Sequence, residues 1–255
     1  MSKKDEAKPN ALAGVIRRNE QKPPRVVIYG PPKIGKTTFA AMAPNPIFLC
    51  IEEGLGSLEV DHFDLITSFD QVLHNLALLW NEEHQYQTVV LDSLDWLEAL
   101  IWKQVALDNG KNSIEEIGYA KGYIFALEYW KQVLDGFNAL REHKGMMPIL
   151  ISHSQVKPFN NPMTDPYDRY SMKLHEKARA LVEEWAECIL FAGSKVFTRK
   201  VDGKGGQKVT RAIGGDERIL FTTESPAFVA GSRYALPDEL PLNFNAFMEA
   251  LAGKE

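Results

Sequence analysis

Gly30-Pro31-Pro32-Lys33-Ile34-Gly35-Lys36-Thr37-Thr38 follows an apolar run, Arg25-Val26-Val27-Ile28-Tyr29, and leads into the helix-like segment Thr38-Phe39-Ala40-Ala41-Met42. This is the G-x-x-x-x-G-K-[ST] pattern in a strand–loop–helix setting, the signature of a phosphate-binding loop. Glycines let the backbone curl so that successive N–H groups point inward at a phosphate chain. The helix N-terminus adds partial positive charge, Lys36 is expected to reach the β- and γ-oxygens, and the Thr37 hydroxyl to ligate Mg²⁺. The bland alternative is a Gly/Pro turn ahead of a helix. The pattern predicts a nucleoside triphosphate held by residues 30–38, with Gly30, Pro31, Pro32, Lys33, Ile34, Gly35, Lys36, Thr37 and Thr38 all against it.

Composition bounds the rest. With 255 residues, 45% of them apolar and 25% charged, the chain has the make-up of an ordinary globular protein with a substantial core. A net charge of −5 argues against general coating of polyanions but leaves room for a local basic groove. Cys50 and Cys188 are the only cysteines; each sits in an apolar run and reads as a buried thiol in a reducing compartment. No apolar run reaches the length of a membrane span, and Met1-Ser2-Lys3-Lys4-Asp5-Glu6 lacks a signal-peptide core. A cytoplasmic protein without a membrane partner is expected.

Residues 1–24 read as a polar, partly disordered segment with a short amphipathic helix at Ala11–Arg18, a candidate oligomerisation arm. From residue 25 onward apolar strands at 25–29, 47–51, 88–92, 148–153 and 188–192 alternate with helical patterns. One helix opens at Ser68-Phe69-Asp70-Gln71 with capping-box spacing and carries Val72, Leu76, Leu79 and Trp80 on one face. Residues 157–173, rich in Asn, Pro, Asp and Tyr, read as a loop. Past residue 192 the pattern becomes short strands and tight turns: Lys195–Val201 and Lys208–Ile213 flank Asp202-Gly203-Lys204-Gly205-Gly206, a hairpin signal, before a strand at 218–222 and a terminal helix near 242–251. The expected fold is α/β: a doubly wound, mainly parallel sheet with a C-terminal antiparallel extension, in one domain over 25–255.

In such sheets ligands bind beyond the carboxyl ends of the strands. The first strand delivers the phosphate loop, the second Glu52 and Glu53, the third Asp92-Ser93, and the fourth Ser152-His153-Ser154-Gln155. Asp92 has the position of a Mg²⁺-holding carboxylate acting with Thr37, or alternatively of a helix N-cap. Glu52 is the candidate general base that polarises an attacking water, with Glu53 as the fallback. His153 is either a γ-phosphate sensor or a structural histidine.

The order of phosphate loop, strand plus Glu, Val89-Val90-Leu91-Asp92-Ser93, long helix, glycine-containing loop 117–122, helix, apolar strand with polar tip, and polar loop resembles the RecA core. In particular it resembles phage-encoded, RecA-core-only ATPases counted among the Sak-type single-strand annealing proteins. Gly30–Thr38, Asp92-Ser93, Ile151-Ser152-His153 and Glu184-Trp185-Ala186-Glu187 carry the resemblance, which spans about residues 25–240. It implies a RecA-like P-loop NTPase core that uses ATP and Mg²⁺, with Lys36, Glu52 and His153 catalytic, slow DNA-linked hydrolysis, self-assembly into a ring or filament, and a home in the cytoplasm of a phage-infected bacterium. Gly231-Ser232-Arg233-Tyr234-Ala235 is similar to a segment that serves nucleotide or DNA across a subunit interface in RadA-type relatives. Gly231 stands where those relatives have lysine and Ala235 where they have glycine, so only Arg233 is carried over. Cys50 stands where relatives often have an acid, which favours Glu52 as the base.

The resemblance also places single-stranded DNA along the loops near 108–122 and 156–173. Lys121, Lys157, Phe159, Arg169, Tyr170 and Lys173 are the candidate contacts there, since cations track phosphates and rings stack on bases. Arg199, Lys200, Lys204 and Lys208 of the basic hairpin are further candidates, or else lysines guarding an edge strand. The expected activity is ATP-dependent single-strand annealing in recombination of phage DNA, with a single-strand-binding protein as a family-implied partner. A P-loop kinase of a small metabolite is the alternative, disfavoured by the scarcity of arginines for a lid after residue 156. A helicase- or packaging-type motor ATPase is another, disfavoured by the lack of an accessory domain.

Overall fold

The computed structural model describes residues 22–202 and 208–253. The expected helix at Ala11–Arg18, the arm up to residue 21 and the hairpin turn with Lys204 lie outside the described residues. The elements are β1 (Val26–Gly30), α1 (Lys36–Ala41), β2 (Pro46–Cys50), β3 (Asp61–His62), α2 (Phe69–Asn81), β4 (Thr88–Asp92), α3 (Leu94–Asp108), α4 (Lys121–Lys144), β5 (Met147–Phe159), β6 (Tyr167–Met172), α5 (Glu176–Trp185), β7 (Cys188–Asp202), β8 (Lys208–Phe221), β9 (Gly231–Ser232), β10 (Glu239–Pro241) and α6 (Phe244–Leu251).

The main sheet runs β10-β8-β7-β1-β5-β4-β2-β3, with β6 added to β5 and β9 to β7. From β7 to β3 neighbours are parallel; β8 and β10 extend the sheet antiparallel. The centre is apolar on both faces, which is why β1, β2 and β4 read as unbroken apolar runs instead of alternating patterns. On one face Val27 and Tyr29 of β1 join a core built with α2, α3, α4 and α5. On the other, Val26 and Ile28 pack with α1 and α6, where Phe39 meets Phe244 edge-on at 5.4 Å between ring centroids. Burying a phenylalanine of that kind is worth about 1.5–3 kcal/mol. Helices on both faces make the sheet doubly wound.

Local signals account for the helix starts. Ser68 caps α2 by accepting the Gln71 N–H, and Asn243 caps α6 by accepting those of Asn245 and Ala246. Val72, Leu76 and Leu79 are buried as their spacing predicts, but Trp80 stays half exposed against His143.

The expected loop at 157–173 is instead a hairpin. β5 runs past the sheet to Phe159 and pairs with β6 from Ser154↔Met172 to Phe159↔Tyr167. Pro158 and Asn160-Asn161-Pro162 read as breakers, yet beyond His153 the strand pairs on one side only, so a missing N–H at Pro158 is tolerated. Similarly, the strands expected at 188–192 and 195–201 are one element, β7, and those at 208–213 and 218–222 are β8.

At the amino end of the sheet, Glu187 gathers several donors. It accepts from the Arg141 guanidinium at 2.9 Å, the Arg25 N–H at 3.2 Å and the Tyr234 hydroxyl at 3.3 Å. Arg141 and Glu187 are both buried, so removing one strands the other. Glu187→Ala should cost about 3–5 kcal/mol of stability. Urea denaturation checks this, and an unchanged midpoint would show that the pair carries no such role.

Candidate nucleotide site

The loop between β1 and α1 closes around its own lysine. Lys36 is almost fully buried, and its Nζ donates to the Gly30 and Pro31 carbonyls at 3.0 Å each. An ammonium has three donors, so one remains for a ligand oxygen. Two glycines are obligatory here. A Cβ on Gly30 would stand 2.3 Å from the Ala192 carbonyl oxygen of β7, and Gly35 adopts φ +115°. Burial lowers the Lys36 pKa, while Asp92, Asp95 and Glu52 oppose that shift.

The carboxyl ends of β2, β4 and β5 meet this loop. Thr37 donates its hydroxyl to Asp92 at 2.8 Å. Asp92 is buried, and burial pushes its pKa up, with the Thr37 bond pulling the other way. Ser93 occupies the N-cap position of α3 but makes no side-chain cap. Its hydroxyl stands 2.7 Å from Glu52 Oε1 and 3.1 Å from Asp95 Oδ1. His153 Nδ1 lies 3.1 and 3.0 Å from the two Asp95 oxygens, and the His153 backbone N–H donates to Asp95 at 3.0 Å. A carboxylate fork there selects the tautomer with its proton on Nδ1, leaving Nε2 as the free ring nitrogen.

Two ionisations follow. The Asp95 hydrogen bond raises the His153 pKa against the opposing effect of burial. Burial pulls the Asp95 carboxyl upward, yet the bonds from His153 outweigh it and hold the group below the usual carboxylate range. Burial, helped by Asp92, pushes the Cys50 thiol up to about 11, so it stays protonated and is no base. Glu52, the expected base, is half-buried just past the end of β2. It reaches within 3.8 Å of His153 Nδ1, and Glu53 stands beside it, exposed.

Lys36, Thr37, Asp92, Glu52, Glu53 and His153 line one cavity of about 550 Å³ together with Pro32, Lys33, Thr38 and Arg218. Of the expected site residues, Lys36, Thr37, Asp92, Glu52 and His153 are brought together there. Arg233 is elsewhere: its N–H donates to Glu187 and its guanidinium to the Glu184 carbonyl, at the amino end of the sheet. Within one copy it cannot reach the loop.

Among the expected DNA contacts, Lys121 opens α4 and is exposed, as are Lys157 and Lys173. Arg169 is committed inside the molecule, paired with Glu224, donating to the Phe228 carbonyl at 3.2 Å, and lying 5.0 Å over the Phe159 ring. Tyr170 stacks on Phe191 at 5.3 Å. Arg199, Lys200 and Lys208 fall on β7 and β8.

Two residues of the site escape sequence reasoning: Asp95, which holds His153, and Arg218, which lines the cavity. Asp95 sits in the first turn of a helix, where acids are common for dipole reasons alone. Arg218 follows the end of the loop by 180 positions and shows no motif. The only available signal for Asp95 was its place just after Asp92-Ser93 in the chain.

The residues fit a Mg²⁺–nucleotide. Lys36 offers a buried ammonium with a donor to spare, and Thr37 with Asp92 offers a hydroxyl and a carboxylate, hard oxygens suited to Mg²⁺. Among the described residues no group of three or more His, Cys, Asp or Glu is placed to hold a metal ion. When bound, Mg²⁺ supplies positive charge against the phosphate oxygens.

A phosphate loop on the central strand, with an acid-bearing strand two places away across a histidine-bearing one, is the arrangement of a P-loop ATPase core. The chain belongs to the AAA domain family, whose model matches residues 22–234. Among solved structures it is similar to the RadB recombinase, at 14% identity over 78% of this chain and 81% of that chain, with a TM-score of 0.42. No curated protein sequence matches it. Among the described residues no helix is long and apolar enough to cross a membrane.

Glu52→Gln keeps an acceptor for Ser93 but removes the proton-accepting charge. ATP turnover should fall about a hundredfold or more while ATP binding persists; steady-state turnover beside equilibrium titration checks this, and normal turnover would move the role to Glu53. Asp95→Asn tests the histidine. With its pKa raised on folding, His153 stabilises fully below the ordinary value of 6.5 and loses that contribution as pH rises through the raised value. Melting temperatures of the wild type should therefore drop between about pH 6 and 8 more steeply than those of Asp95→Asn. Equal slopes would uncouple the two residues.

Proposed function

We propose that this P-loop ATPase binds single-stranded DNA and promotes strand annealing in recombination of phage DNA, as a member of the Sak-type group, in the cytoplasm of the infected cell. One observation carries the reading. β5, whose His153 sits at the phosphate loop, continues through Lys157 to Phe159 and returns as β6 to Met172, just before Lys173, so one strand runs from the nucleotide cavity to an exposed hairpin. A second cavity of about 420 Å³ opens beside His153, between Trp96, Gln155 and Lys173. Trp96 is half exposed, and an exposed indole beside a lysine suits one stacked base and its phosphate.

The site residues have the following roles in this reading. Lys36 and the loop backbone hold the phosphates, and Thr37 and Asp92 hold Mg²⁺. Glu52 takes a proton from water, and His153 reports the γ-phosphate to β5. The basic stretch of β7 and β8 widens the DNA path. Residues 1–24 form an assembly arm ahead of one ATPase domain at 25–255. Arg233, remote from its own loop, serves the nucleotide of a neighbouring copy in a ring or filament, and a single-strand-binding protein is the expected partner.

The test is titration of a fluorescent single-stranded oligonucleotide with and without a non-hydrolysable ATP analogue, across a salt series. Affinity should rise with the analogue and fall with salt. Lys157→Ala with Lys173→Ala, removing two phosphate contacts, should flatten the log–log salt slope by about 1.4. No binding at low salt with the analogue present would end the DNA reading and make a phosphoryl-accepting metabolite the next ligand to try.

A further inference from the structure

Arg218 is on β8, in the antiparallel extension, yet its side chain returns to the phosphate loop. A Cβ built on Gly35 would lie 3.3 Å from Arg218 Nη1. The guanidinium is exposed and faces the cavity shared by Lys36, Thr37 and Asp92. Among the described residues it has no ion-pair partner. Glu239, on the adjoining strand β10, is taken by Lys195 at 2.6 Å.

The backbone places this side chain deliberately. Arg218 stands opposite Ser194, and its carbonyl accepts the Leu242 N–H at 3.2 Å. Immediately before it the ladder slips: Ser194↔Arg218 is followed by Val196↔Gly214, so residues 215–217 stand against Lys195 alone. Bulges of this kind bend a strand and re-aim its side chains. Here the bulge comes directly before an arginine that lines the cavity.

We propose that Arg218 is a nucleotide-binding residue that holds the α- and β-phosphates from within the same chain. The assignment rests on the nucleotide reading of the loop. A guanidinium presents paired donors matched to phosphate oxygens. Its neighbour, Gly35, belongs to the part of the loop whose backbone cradles the α- and β-phosphates. The groups suited to the γ-phosphate, His153 and Glu52, meet instead around Ser93 and Asp95. Arg218 therefore distinguishes phosphorylated nucleosides from bare ones, without distinguishing ATP from ADP.

Equilibrium titration of the full chain with fluorescent ADP and with a non-hydrolysable ATP analogue tests this. Arg218→Met should weaken both about tenfold, and Arg218→Lys should recover part of the loss. The side chain is exposed, and melting curves check the folding of both variants; should Arg218→Met fail to fold, Arg218→Lys alone must still bind both nucleotides more weakly than the wild type. Wild-type affinity in the variants, while the wild type binds normally, overturns the assignment alone. A loss confined to the ATP analogue overturns it in favour of a γ-phosphate contact. A wild type that binds neither nucleotide overturns the phosphate-loop reading, and this assignment with it.

Discussion

The site depends on one register. β1 lies parallel between β5 and β7, with Gly30 opposite His153 and Tyr29 opposite Phe191. That pairing fixes the loop entrance beside the histidine, and it presses Gly30 so close to Ala192 that no side chain fits. A shift of one residue would turn Val27 and Tyr29 to the face of α1 and α6 and move the loop away from Asp92. Because β4 pairs with β5 as Asp92↔Ile151 and β2 with β4 as Cys50↔Asp92, each acid inherits its position from the same central strand.

Polar and apolar demands are separated along these strands. Their middles are wholly buried on both faces and carry the hydrophobic stabilisation, while polar groups accumulate at the two ends. At the amino end they serve stability: Arg141 and Glu187 neutralise each other and tie α4 to the starts of β1 and β7. At the carboxyl end they do not pair off so simply. Lys36 faces three carboxylates, one of which, Asp95, is already engaged with a histidine. Excess polarity at one end of an otherwise paired core is the physical mark of a binding site.

The phosphate loop, Asp92 and Glu52 were legible in the sequence because each follows an unbroken apolar run, where a polar residue has nowhere to go but the strand end. The mainly parallel sheet with its antiparallel extension was legible for the same reason. The hairpin at 154–172 was not, because Pro158 and Pro162 mimic loop composition and only tertiary placement at a free edge tolerates them. Asp95 stayed hidden as an ordinary first-turn acid, since its partner His153 lies 58 residues away. Arg169 read as a DNA contact because sequence shows its charge but not Glu224 or the Phe159 ring.

Ser93 links the two halves of the acidic cluster by stoichiometry. Its hydroxyl has a single proton and two carboxylate neighbours, Glu52 at 2.7 Å and Asp95 at 3.1 Å, so it donates to one at a time. Whichever acid receives it is the better stabilised as an anion. The acid left out needs another donor: Asp95 has the backbone N–H and the ring of His153, while Glu52 faces the cavity. Backbone capping would have held the hydroxyl still, and α3 begins without it. The missing cap is therefore part of the site: it leaves the Ser93 hydroxyl free to be shared by Glu52 and Asp95.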